Sequence, residues 1–202
     1  MITVKINGEE RQYPQGATYE DVANDYQKEY DNLIALAARD GKIRELFKKL
    51  TRDCEITFFT LKDDVGNKTY VRSATMLFLK AVFDVFGRET VQNCRVEFAI
   101  GNGSYISPKG KINATEENAA KIRNRMRELV EAKTPFLKRS YSLDNAMELF
   151  RREGMKDKEK LFRYRRGSFV NIYEMDGYYD YYYGYMLPNA GYVKWFDVIA
   201  YE

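Results

Sequence analysis

The chain has 202 residues, 45% of them hydrophobic, with a net charge of +3 and no histidine. That is enough apolar material for one large or two small packed domains, and it excludes every mechanism that needs an imidazole base or ligand. No run approaches the roughly 18 apolar residues of a membrane span, and the first residues lack a signal-peptide apolar core, so a cytoplasmic protein without a membrane partner is expected.

Residues 2–6 alternate apolar and polar, as a half-buried strand does, and Asn7-Gly8 is a strong hairpin signal before a return strand at 9–13. Thr18 can cap a short helix whose stripe is Val22, Ala23 and Tyr26, with Glu20 and Asp21 at its positive end. A buried run at 33–38, a turn at Asp40-Gly41 and a strand at 54–60 complete a ββαβ(β)β order. The polar stretch around 62–68 reads as a boundary. Beyond it, residues 73–86 have helical spacing and stop at Gly87, and strands are expected at 91–100 and 103–107. Two further helices are expected, one at 116–132 with Ala119, Ile122, Met126 and Leu129 on one face, the other at 142–153. The remainder reads as strand and loop, rich in tyrosine. Cys54 and Cys94 read as reduced core thiols, with a disulfide as the lesser alternative.

Several sites are absent on inspection. A phosphate loop ending at Gly110-Lys111 requires glycine where Tyr105 stands and a hydroxyl where Ile112 stands. Gly101-Asn102-Gly103 lacks a third glycine at Ile106, so a hairpin turn is its expected role. Two distant cysteines without histidine give no zinc pattern, and no metal site is expected. What remains is basic and aromatic. Residues 121–166 hold fifteen Lys or Arg against seven Asp or Glu, a local excess of +8, which is either a solvated surface or a face for a polyanion. Residues 158–166 interleave cations with rings, and residues 178–185 hold six tyrosines. Arginine pairs with phosphates and tyrosine stacks on bases, but alternate tyrosines also pack a sheet.

The motifs Asn7-Gly8, Tyr13-Pro14-Gln15-Gly16-Ala17-Thr18, Asp21-Val22-Ala23 and Asp40-Gly41 together resemble a TGS domain, the β-grasp module at the front of threonyl-tRNA synthetases. Arg72-Ser73-Ala74, Asn102-Gly103-Ser104-Tyr105, Arg125-Met126-Arg127-Glu128-Leu129 and the stretch 180–188 resemble the editing-type domain that follows it there. The resemblance implies an α+β fold: a TGS domain over 1–62, a linker over 63–69, and over 70–202 an editing-like domain with an antiparallel sheet and helices. Working editing domains carry an H-x-x-x-H and a C-x-x-x-H pair, which fall here on Arg72 and Met76 and on Tyr182 and Met186. All four positions have changed, which implies that no catalytic residue is left.

Residues 157–166 and 180–188 further resemble the front half of bacterial uridine-kinase-like proteins. That implies a parent ATP- and Mg-dependent uridine or cytidine kinase, with its own C-terminal kinase domain as partner and no cofactor in this stretch. The main expectation is therefore a non-catalytic nucleotide- or RNA-binding or regulatory front end. A stand-alone tRNA- or RNA-binding module is the alternative, and a deacylase without histidine is the third reading. Arg72, Arg163, Arg165, Tyr182 and Lys194 are the expected contacts with RNA or nucleotide, unless the four changed positions simply fill the old pocket.

Overall fold

In a computed structural model, residues 1–101, 103–110 and 112–201 are described; Asn102 of the expected turn, Lys111 of the tested loop and Glu202 lie outside them. Ile2, Val4 and Ile6 point one way along β1 (Ile2–Ile6) and are buried. Asn7 and Gly8 take positive φ of 51° and 88°, which closes a tight hairpin onto β2 (Glu9–Tyr13). Thr18 and Asp21 form a reciprocal capping box at the start of α1 (Tyr19–Tyr26), and Tyr19, Val22, Ala23 and Tyr26 are its buried side. β3 (Ile34–Arg39), β4 (Lys42–Glu45) and β5 (Cys54–Thr60) complete a mixed five-stranded sheet of order β2-β1-β5-β3-β4, in which β1 and β5 run parallel.

The continuous apolar run of β3 has a plain cause. Ile34 and Ala37 join the core around α1, while Ala35 and Leu36 join the core of the second half. A strand covered on both faces loses the alternation of a half-buried one.

α2 spans Asp64–Phe86, so the segment expected as a linker forms its first turns and the helix starts nine residues ahead of the expected 73. The polar sequence hides this, and Gly66 explains it. A Cβ there would sit 2.0 Å from the Thr60 carbonyl oxygen, so only glycine lets the helix rise directly off the end of β5. The Asp63 carboxylate accepts from the Thr60 amide at 2.7 Å and tightens the same corner.

α3 (Arg88–Asn93) replaces the first part of the strand expected at 91–100. β6 (Arg95–Ile100) and β7 (Gly103–Ser107) follow as a two-stranded hairpin with every β6 residue exposed. α4 (Glu116–Glu131) buries Ala119, Ile122, Met126 and Leu129, the expected face. β8 (Leu137–Ser142), for which the sequence gives no expectation, pairs with β9 (Phe169–Met175), which pairs with β10 (Tyr178–Asp180) in an antiparallel sheet. α5 (Leu143–Arg152) and α6 (Lys156–Arg163) connect β8 to β9. α6 lies where strand and loop are expected, because Phe162 is its one buried residue and a single apolar anchor leaves no period to read. The chain is therefore α+β, with a mixed five-stranded sheet, an antiparallel three-stranded sheet and the β6–β7 hairpin among its helices. Cys54 and Cys94 are both free. Among the described residues, no helix is long and apolar enough to cross a membrane.

The two cores are tied at Glu45, at the end of β4, which is 3% exposed. Its carboxylate accepts from the Tyr173 hydroxyl, the Met186 amide at 3.2 Å and the Lys138 ammonium at 2.9 Å, all from the second half. Asn189 reaches back to Glu20 at 3.3 Å, and Tyr192 packs against both cores. Removing one partner of a buried, multiply bonded ion costs about 3–5 kcal/mol because the others are left unpaired. Glu45→Ala is therefore expected to lower unfolding free energy by about that amount, and Glu45→Gln by less, as measured by urea denaturation. A loss within about 0.5 kcal/mol for Glu45→Ala contradicts this role.

Candidate functional site

Arg72, Ser73 and Met76 share one stretch of α2, with Arg72 and Met76 one helical turn apart. Ser73 Oγ donates to the Thr69 carbonyl at 2.9 Å, accepts from the Leu187 amide at 2.9 Å, and lies 3.9 Å from Met186 Sδ. Arg72 donates to the Tyr185 carbonyl at 3.1 Å. Its guanidinium covers Gly184 so closely that a Cβ on that residue would meet Cζ at 2.6 Å, and Gly184 also has a φ of +131°. The segment 184–187 is thus laid along α2 by a serine, an arginine and, from the other half, Glu45.

Met76 and Met186 are each 0% exposed and belong to the core. Tyr182 meets Tyr173 edge-on at 6.5 Å between ring centroids, and its buried hydroxyl has no hydrogen-bond partner among the described residues. Burial pushes the Tyr182 phenol far above its ordinary pKa, and burial followed by the nearby Glu45 charge does the same to Tyr173. Contacts therefore join Arg72, Met186 and the 184–187 segment directly, and Tyr182 through Tyr173. Chemically this set offers two thioethers, neutral phenols and a cation engaged with a carbonyl. Among the described residues, no three Cys, Asp or Glu side chains gather as a metal-binding group.

The other expected contacts stand apart from that set. Arg163 is 60% exposed and 3.8 Å from Glu159. Arg165 bonds the Tyr181 hydroxyl and lies 5.2 Å from that ring's centre. Lys194 is exposed beyond the short turn Ala190–Tyr192. No contact among the described residues links these three to Arg72.

The charge excess over 121–166 is in part paired in three dimensions. Arg123 pairs with Glu116 and Asp197, Arg125 with Asp84 and Glu128, Arg139 with Glu174, and Lys158 with the buried Asp180. Many of these acids lie outside the window, which a linear count cannot see. In the tyrosine tract, Tyr178 is buried and donates to Asp180 at 3.1 Å, Tyr181 packs edge-on against Phe162, and Tyr183 is 86% exposed. Most of the tract packs against the core.

Unpaired positive charge also collects in the first half. Arg39, Arg44, Lys48 and Lys49 surround an open depression of about 470 Å³ that Tyr19 also lines. None of these four cations has an ion-pair partner among the described residues. Arg39 bonds the Thr51 hydroxyl at 2.9 Å and Arg44 the Ile43 carbonyl at 3.2 Å. Lys48 and Lys49 also border a second depression of about 500 Å³, walled by Phe47, Phe136, Leu137, Lys138 and Pro188 on the seam between the halves. The sequence held a signal for this surface. Residues 39–52 contain six Lys or Arg and two acids, of which Asp40 pairs with Arg52 and Glu45 faces inward.

No family model matches the chain. Among curated proteins, it is similar to the threonine–tRNA ligase of Thermotoga maritima, 29% identical over 204 residues that cover 98% of this chain and 30% of the relative. It is also similar to the threonine–tRNA ligases of Maricaulis maris (28% over 193 residues, 95% of this chain and 30% of the relative) and Carboxydothermus hydrogenoformans (25% over 201 residues, 98% and 31%). The chain thus spans about 30% of the length of the relatives it matches. The similarity runs through both halves, which agrees with the resemblance to the synthetase front region. These relatives give no support to the expected uridine-kinase parent.

If the methionines fill the former pocket, Met186→Ala should cost about 2–5 kcal/mol of unfolding free energy, as deletion of a fully buried side chain does. Thermal or urea unfolding measures this. A cost below about 1 kcal/mol means that Met186 borders an open space instead.

Proposed function

We propose that this chain is a non-catalytic RNA-binding module derived from the front region of a threonyl-tRNA synthetase, with tRNA as its expected class of partner. The observation that carries the proposal is the similarity to threonine–tRNA ligases over 98% of the chain, through both halves. The buried Met76 and Met186 support the non-catalytic part, since thioethers stand where ester hydrolysis needs proton carriers. In this reading the first half is a TGS-type β-grasp, which its sheet order and parallel β1/β5 pair support. The second half is an editing scaffold put to binding.

Filter binding with a tRNA transcript tests the proposal. Binding is expected at about 50 mM salt and should weaken by at least about tenfold by about 200 mM, because phosphate contacts release counterions. The half-life of seryl-tRNA is expected to be unchanged by added protein. Absence of tRNA binding at low salt refutes the binding part, and catalytic turnover of seryl-tRNA refutes the non-catalytic part.

A further inference from the structure

We infer that the depression bounded by Arg39, Arg44, Lys48 and Lys49, continued across the seam, is a binding track for the phosphate backbone of RNA. The inference rests on the RNA-binding reading and adds the site, which lies on other residues than those of the former editing pocket.

Four observations carry it. The first is charge without compensation. The two guanidiniums are partly buried and the two ammoniums exposed, and none of them forms an ion pair among the described residues. By contrast, Arg123, Arg125, Arg139 and Lys158 of residues 121–166 are paired within the fold. The neutral Thr51 hydroxyl and Ile43 carbonyl leave the charge of Arg39 and Arg44 uncompensated, and phosphate suits the planar fork of a guanidinium.

The second is the floor of the depression. Tyr19 is 1% exposed, and its buried hydroxyl has no acceptor for its O–H among the described residues. Arg39 is the cation that acts most strongly on that hydroxyl. The buried ring gives the depression a fixed floor beside the Arg39 guanidinium.

The third is rigidity. Arg39 ends β3 and Arg44 lies in β4, antiparallel neighbours in the sheet, while the segment carrying Lys48 and Lys49 is fixed by the Tyr19 and Leu50 amides, which donate to the Lys48 and Ala17 carbonyls at 2.9 and 2.7 Å. The backbone positions that carry the cations are therefore fixed before a ligand arrives.

The fourth is length. Lys48 and Lys49 are shared by both depressions, and the second adds the apolar walls of Phe47, Phe136 and Pro188. A small anion would occupy one depression. A polymer with regular phosphates and apolar sugar and base faces fits both.

The test compares the whole chain with two double variants, K48A/K49A and R163A/R165A, titrated with a tRNA transcript and with inorganic tripolyphosphate across a salt series. Thermal midpoints check that each variant remains folded. The expected result for K48A/K49A is at least about tenfold weaker tRNA binding and a log–log salt slope shallower by about 1.5–2. R163A/R165A is expected to stay within about twofold of the parent. Arg44→Ala, singly, should also weaken binding, which guards against an effect peculiar to the lysine pair. If the parent binds tRNA and K48A/K49A binds equally well, the track is overturned while the RNA-binding reading stands. If tripolyphosphate competes as strongly as tRNA per phosphate, the site takes small anions and the RNA assignment is overturned. If the parent binds no tRNA, the track and the broader reading fail together.

Discussion

The carboxylate of Glu45 is the constraint on which the rest of the structure depends. It is buried at the end of an edge strand of the first sheet, and its three donors all belong to the second half. A buried carboxylate is costly unless each lone pair is occupied, so the energetics permit only the arrangement that brings Tyr173, Lys138 and the Met186 amide to it together. Those donors come from β9, β8 and the segment after β10, so one ion fixes the antiparallel sheet against the first half.

The same anchorage determines the fate of the former pocket. Glu45 from one side, and Ser73 and Arg72 from the other, hold residues 184–187 along α2, and the methionines fall inward from that frame. Arginine at position 72 still makes a directed contact, but with the Tyr185 carbonyl of its own chain. Thioethers and phenols occupy that frame. The seam beside it is open, and Lys48 and Lys49 border it without ion-pair partners among the described residues.

Elements with a dense local signal were legible in the sequence. The Asn7-Gly8 hairpin, the Thr18–Asp21 capping box and the α4 face each carry their information within a few residues. The start of α2 was hidden because Gly66 and the polar residues around it read as a turn, and only contact with Thr60 shows why glycine belongs there. α6 was hidden because one buried phenylalanine has no period. The positions Arg72, Met76, Tyr182 and Met186 come from resemblance and have no signal of their own in spacing or charge. How far the charge excess over 121–166 is paired is a property of three dimensions that a linear count does not contain. The smaller cluster at 39–52 stands in the sequence as six Lys or Arg against two acids. What distinguishes it is that Asp40 is occupied by Arg52 and Glu45 turns inward, and neither fact exists in one dimension.

On the proposed function, RNA binds at the seam while the region around Met76 and Met186 stays packed. Amide chemical-shift mapping during addition of a tRNA transcript tests it most directly, because it reports on both places in one experiment. The account expects the largest shifts at Arg44, Lys48, Lys49 and Leu137, with Arg72, Met76 and Tyr182 nearly unmoved. Shifts concentrated at Arg72, Tyr182 and Gly184, with the seam silent, would contradict it.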